Sequence, residues 1–158
     1  DKGWTYGFTG GVSDAPVGQR LFTVSGAIEA EHTAEAMAEI RKEIADFADA
    51  RPATQDEIDR ERNARILALP SAFSGNAAFL GSIVSSAAYG LPYDRAASPG
   101  DRLSAVTLDQ VQAWSRRTYR PEQLTWVVVG DLSKIETSVR ALNFGPVEVW
   151  NIYGAKIR

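Results

Sequence analysis

Tyr6 is the residue here whose type and surroundings best suit chemistry on a peptide. It lies in Gly3-Trp4-Thr5-Tyr6-Gly7-Phe8, where aromatic residues alternate with small ones. A tyrosine on a glycine-flanked strand can present its hydroxyl to a bound peptide's backbone, and the glycines permit close approach. Trp4 and Phe8 are its neighbours in such a site. The commoner reading of the same pattern is a sheet face buried against helices. His32 is the single histidine. Glu29 and Glu31 flank it, but at strand spacing before a helix start rather than on one helical face, so it reads as a solvated or capping histidine. The carboxylates of Asp56-Glu57-Ile58-Asp59 and Glu61 resemble a cation site in type. Arg60, Arg62 and Arg65 lie within a turn of them, and a charge-paired exposed helix is the better account. The chain shows no Ser/His/Asp set with recognisable surroundings and no Walker-type phosphate loop. Gly7, Gly10 and Gly11 do not match the dinucleotide fingerprint. On these grounds the chain itself is expected to hold no metal and no cofactor.

The elements that must position Tyr6 follow from period and punctuation. Trp4, Tyr6 and Phe8 alternate with Thr5, Gly7 and Thr9, the period of a strand with one apolar face. Gly10-Gly11 and Asp14-Ala15-Pro16 break the pattern. A second strand is predicted from about Gln19 to Ala30, and the two make a hairpin with a long loop. Met37, Ile40, Ile44 and Phe47 then form one helical stripe, with Thr33 as N-cap and Pro52 as the stop. Thr54 to Glu57 is a capping box opening a charged helix with Ile58, Ile66 and Leu67 inward. Ser71 to Tyr89, with Phe73, Leu80, Ile83 and Val84, reads as a buried helix stopped by Gly90 and Pro92. Leu91 to Asp101 reads as a loop. Thr107 to Gln110 is a second capping box, with Val106 and Val111 as hydrophobic staple, for a helix reaching about Tyr119. Leu124 to Val129 reads as a buried strand. Ser133 to Glu136 is a third capping box for a helix to about Leu142, and Val147 to Trp150 is a last short strand. The order strand, strand, four helices, strand, helix, strand is α+β. It implies an antiparallel or mixed sheet with helices packed on one face.

Length and composition set the outer limits. The chain has 158 residues, 44% of them hydrophobic and 23% charged, which suits one globular domain and not a disordered or fibrous chain. Its net charge of −3 offers no electrostatic reason to bind nucleic acid. With no cysteine, disulfides, thiolate metal sites and cysteine nucleophiles are excluded. No apolar run approaches the ~20 residues that span a bilayer, so no membrane partner is expected. The chain opens at Asp1 without an initiator Met or a visible signal peptide. It reads as a fragment or a processed product.

Several segments, taken in order, resemble one family. Asp1-Lys2-Gly3-Trp4-Thr5-Tyr6-Gly7 is similar to the start of the C-terminal half of pitrilysin/insulinase-type zinc peptidases, which include the mitochondrial processing peptidases. Tyr89-Gly90-Leu91-Pro92, Ala105-Val106-Thr107, Tyr119-Arg120-Pro121 and Val127-Val128-Val129-Gly130-Asp131 fit the later part of that half. Gly145-Pro146-Val147-Glu148-Val149-Trp150 resembles the end of bacterial members built from two such halves. The resemblance covers nearly the whole chain.

It implies a C-terminal, zinc-free half-clamshell domain over residues 1–158, truncated at its N-terminus. In the family an inverted His-x-x-Glu-His motif in the N-terminal half holds zinc. The other half closes over the peptide and supplies an arginine and a tyrosine that position it. Tyr6 matches that tyrosine; the matching arginine would fall before Asp1. The expected partners are the N-terminal metal-binding half, or a partner subunit, and a peptide substrate. The expected function is substrate positioning in a zinc-dependent metalloendopeptidase, with no catalysis by this chain alone. A non-catalytic scaffold subunit of the same fold is the alternative, and an unrelated α+β binding module a third reading. Because the family unit is longer, a sheet edge is expected to be exposed and to promote self-association. The bacterial look of the resemblance places the chain in periplasm or cytoplasm, the periplasm favoured.

Overall fold

Local capping and turn chemistry account for most of the element boundaries. The structure, a computed structural model, describes residues 3–13, 17–72, 75–92 and 99–158. Among these it is α+β, with six α-helices and a two-stranded antiparallel sheet. The described chain divides into two compact units. One comprises residues 1–11, 23–45 and 120–158, the other residues 12–22 and 46–119.

The first unit holds most of the hairpin formed by β1 (Phe8–Val12) and β2 (Phe22–Gly26). The expected hairpin is present, but its first strand begins at Phe8. Trp4 to Tyr6 lie outside it, and Gly10-Gly11 lie inside it. The alternation from Trp4 fails as a strand because Gly3 and Gly7 adopt positive φ of 71° and 145°, which turn the backbone. Phe8 packs its ring over Gly26, where a Cβ would meet Phe8 Cδ1 at 2.6 Å and the Gly7 carbonyl at 2.7 Å. A 3₁₀ turn, Ala30–His32, leads into α1 (Thr33–Ala48). The predicted stripe is there, with Met37 and Ile44 buried beside Ala34 and Ala36. Thr33 is not an accepting cap. Its hydroxyl donates to Ala30 O at 2.9 Å, because the 3₁₀ turn already carries the chain into the helix.

The same unit contains α6 (Leu132–Ala141), which packs on the 3₁₀ turn and buries Ile135. Its cap is Asp131 rather than Ser133. The Asp131 carboxylate accepts Ser133 N–H at 3.0 Å and Ser133 Oγ–H at 2.6 Å. Glu136 is occupied by Arg140 at 2.8 Å and by Arg158, so it cannot close a box. The predicted strand Leu124–Val129 has no ladder partner among the described residues, and Val127 and Val129 are exposed rather than buried. A β-branched run favours extended backbone but does not supply the neighbour that makes a strand. Val147–Trp150 is likewise no strand of a sheet. The tail folds back: Val149 N–H donates to Arg158 O at 2.8 Å, and Trp150 bridges Lys156 in antiparallel fashion. Asn151 closes the turn by accepting Tyr153 and Ala155 N–H at 2.9 and 3.0 Å.

The second unit is helical. The capping box of α2 (Gln55–Ala72) is complete: Thr54 N–H donates to Glu57 Oε2 at 2.9 Å and Glu57 N–H to Thr54 Oγ1 at 3.4 Å. Ile58 and Ile66 are half-buried as expected, but Leu67 is 78% exposed. The predicted buried helix from Ser71 is instead the end of α2 followed by α3 (Asn76–Tyr89), and Phe73 lies outside the described residues. Phe79, Leu80 and Val84 on α3 are exposed. Hydrophobicity on every side of a helix signals burial only where a neighbour is available to cover it. Gly90, at φ 63°, ends α3 in a Schellman pair: Leu91 N–H donates to Ser86 O at 2.8 Å and Gly90 N–H to Ala87 O at 3.4 Å.

Much of the predicted loop Leu91–Asp101 lies outside the described residues. Its end, Pro99–Asp101, opens a short helix, α4 (Pro99–Ser104), because Pro at the first helical position costs no hydrogen bond. α4 packs on α2. The box of α5 (Leu108–Thr118) is complete between Thr107 and Gln110 at 3.1 and 3.3 Å. Arg62 donates to Val106 O at 3.2 Å and Gln112 to the carbonyl of buried Ala53 at 2.9 Å, fixing the α2 start against α5. Phe22 and Phe47 meet Tyr119 edge-on at 4.7 and 5.4 Å.

Candidate functional site

The segment around Tyr6 is an arch, not a strand. Thr5 shapes it through its hydroxyl, which donates to Ala27 O at 2.6 Å and accepts Gly7 N–H at 3.0 Å. Trp4 is tied down at both ends of the residue: its carbonyl accepts Glu29 N–H at 3.0 Å, and its indole stacks on His32 at 4.8 Å and 15°. These contacts hold the arch against the end of β2 and the turn before α1. Tyr6 stands at its crest, fully exposed. Phe8 is the first residue of β1, its ring on Gly26.

Trp4 and Phe8 are therefore the supports of the arch, and Tyr6 is the one free to meet another molecule. The backbone before Phe8 is not part of the hairpin ladder. Trp4 O is already taken by Glu29, and extended backbone begins only at Phe8.

His32 presents Nε2 to Glu29 at 4.0 Å, and its Nδ1 is buried without a hydrogen-bond partner among the described residues. Glu31 turns instead to Lys134 at 3.4 Å. Its carboxyl sits below the usual range, first because of its own backbone N–H and then because of Lys134. Two of the α2 carboxylates pair with arginines, Asp59 with Arg62 and Glu61 with Arg65 at 2.7 Å, while Glu57 bonds Thr54 instead. No group of three or more His, Asp or Glu residues close enough to share a metal occurs among the described residues. The described residues do not fit a zinc ion.

One concave feature escaped the sequence reading. Within the second unit, Val106, Val111, Trp114, Ser115 and Tyr119 line an open groove of about 490 Å³. Its signal lies in the i, i+3/i+4 spacing of Val111, Trp114 and Ser115 along α5, with Tyr119 at the helix's C-cap. No single helix among the described residues is long and apolar enough to cross a membrane.

Comparison with known proteins bears on the arch directly. No curated protein matches the chain. Residues 1–65, which contain Trp4, Tyr6, Phe8, the hairpin and α1, match the family model of the Peptidase M16 inactive domain, and so support a pitrilysin-type C-terminal half.

Proposed function

We propose that this chain is the zinc-free, substrate-positioning C-terminal domain, over residues 1–158, of a zinc-dependent peptidase, and that it is inactive by itself. The observation that carries this reading is the family match over residues 1–65, in which Tyr6 occupies the exposed crest of a braced arch. Its phenol is a hydrogen-bond donor beside glycines that let a peptide backbone come close. In the assembled enzyme, Tyr6 donates to a substrate carbonyl oxygen and holds that carbonyl in place. A donor pre-set on the oxygen that gains negative charge contributes more in the transition state than in the ground state. Any metal chemistry belongs to the other half, since the described residues here do not fit zinc.

The test is hydrolysis of a quenched-fluorescent peptide library with added zinc, by this chain alone and mixed with the upstream part of its own gene product. Activity in the mixture alone, reduced about 10²-fold or more by Tyr6→Phe, is the expected result. A second reading, a non-catalytic scaffold subunit, draws on the exposed apolar α3. It predicts a stable complex with no hydrolysis in either sample.

A further inference from the structure

Tyr6 is fully exposed, so its phenol gains no direction from packing. Only the backbone can aim it. That backbone runs between two glycines at positive φ, Gly3 at 71° and Gly7 at 145°. Glycine reaches many other conformations at little cost, so this stretch would swing at both feet if nothing held it. One oxygen atom does. Thr5 Oγ1 donates its proton to Ala27 O at 2.6 Å and accepts Gly7 N–H at 3.0 Å. Gly7 O lies 3.2 Å from the same oxygen, but the single hydroxyl proton goes to the nearer carbonyl. The bond to Gly7 closes a short turn of the kind serine and threonine favour, and Tyr6 is the residue inside it. Ala27 directly follows β2, so the turn is tied to the hairpin. The other brace, Trp4 on Glu29 and His32, fixes the Gly3 side of the arch and leaves Gly7 untouched.

We propose that Thr5 is a positioning residue, whose hydroxyl sets the direction in which Tyr6 presents its phenol to a peptide carbonyl. The place demands a group that donates and accepts at once. Serine offers both functions, whereas valine has the shape of threonine and offers neither. Thr5 acts through Tyr6 and not on the peptide. A hydrogen bond from Tyr6 counts most in the transition state, so a misaimed phenol is felt in kcat more than in KM. A displacement of about 1 Å is enough to cost ~10²-fold.

For its kinetic consequence this inference rests on the substrate-positioning reading, and the two are tested separately. In this chain alone, NMR relaxation reads the backbone at Tyr6 and Gly7. Order parameters near ~0.85 are expected in the unmodified chain and in Thr5→Ser, and below ~0.6 in Thr5→Val, with the amide spectrum outside the arch unchanged. Thr5→Ala removes the hydroxyl without setting a second methyl beside Ala27 O, and should behave as Thr5→Val does. In the mixture with the upstream part of the gene product, Thr5→Val is expected to lower kcat roughly 10- to 100-fold and to leave KM within about 3-fold. Thr5→Ser should restore most of the rate. In a Tyr6→Phe background, Thr5→Val should cost less than about 2-fold, since no phenol hydroxyl is left to aim. Order parameters that stay high in both Thr5→Val and Thr5→Ala overturn the proposal. So does a loss of rate as large in the Tyr6→Phe background as with Tyr6 present. A mixture without hydrolysis refutes the peptidase reading and the kinetic consequence with it; the order parameters then decide whether Thr5 aims Tyr6.

Discussion

Gly26→Ala tests the physical basis of the arch that presents Tyr6. A methyl at this position would sit 2.6 Å from Phe8 Cδ1 and 2.7 Å from Gly7 O. Both distances are shorter than van der Waals contact allows. The Phe8 ring can rotate away, losing its seat on β2, but the Gly7 carbonyl belongs to backbone that Thr5 already holds through Gly7 N–H at 3.0 Å. Overpacking of this kind costs about 1–3 kcal/mol. With a urea dependence of ~2 kcal/mol per molar, a loss of ~2 kcal/mol lowers the unfolding midpoint by about 1 M. The assay is urea unfolding followed by tryptophan fluorescence, supported by the two variants Phe8→Ala and Gly26→Ala/Phe8→Ala. Removing the ring relieves one clash and leaves the other, so the double variant should recover only part of the Gly26→Ala loss, with a measurable coupling between the two sites. A midpoint unchanged by Gly26→Ala would show that the close approach does not constrain the hairpin. Full recovery in the double variant would show that the Gly7 carbonyl is not part of the constraint.

Thr107→Ala removes the hydroxyl that accepts Gln110 N–H at the start of α5, and is expected to lower stability by ~1 kcal/mol in the same unfolding assay. The acid limb of stability is the other expectation. Glu136, held low first by the Arg140 hydrogen bond, and Glu148, held low first by Lys156, bind fewer protons folded than unfolded. Their contribution is present above the ordinary carboxylate pKa, near ~4, and is lost as pH falls through the lowered folded values. Urea midpoints measured from pH 6 downwards should fall on the acid side, and Glu136→Gln should flatten that fall at low salt.

Features settled within three or four residues were legible in the chain itself. The boxes at Thr54/Glu57 and Thr107/Gln110 close within one turn. The stop at Gly90 needs only a residue that tolerates positive φ. The Met37–Ile44 stripe is a matter of helical period, and the α+β class follows from the order of such elements. Tyr6 and its neighbours could be singled out by type and by resemblance, but their arrangement could not. Alternation at Trp4, Tyr6 and Phe8 looks like a strand. Only the positive φ of Gly3 and Gly7, together with bonds from Thr5 to Ala27 and from Glu29 to Trp4, makes it an arch with Tyr6 outward.

The cap of α6 shows the same division at close range. Ser133-x-x-Glu136 has the right spelling. The box fails because Asp131 reaches Ser133 first and because Glu136 is claimed by Arg140 and by the distant Arg158. Leu124–Val129 and α3 mark the limit most plainly. Their residues specify an extended run and an apolar helix, which are properties of the chain alone. Whether either is buried depends on a second surface, and that surface comes from residues far along the chain or from another molecule.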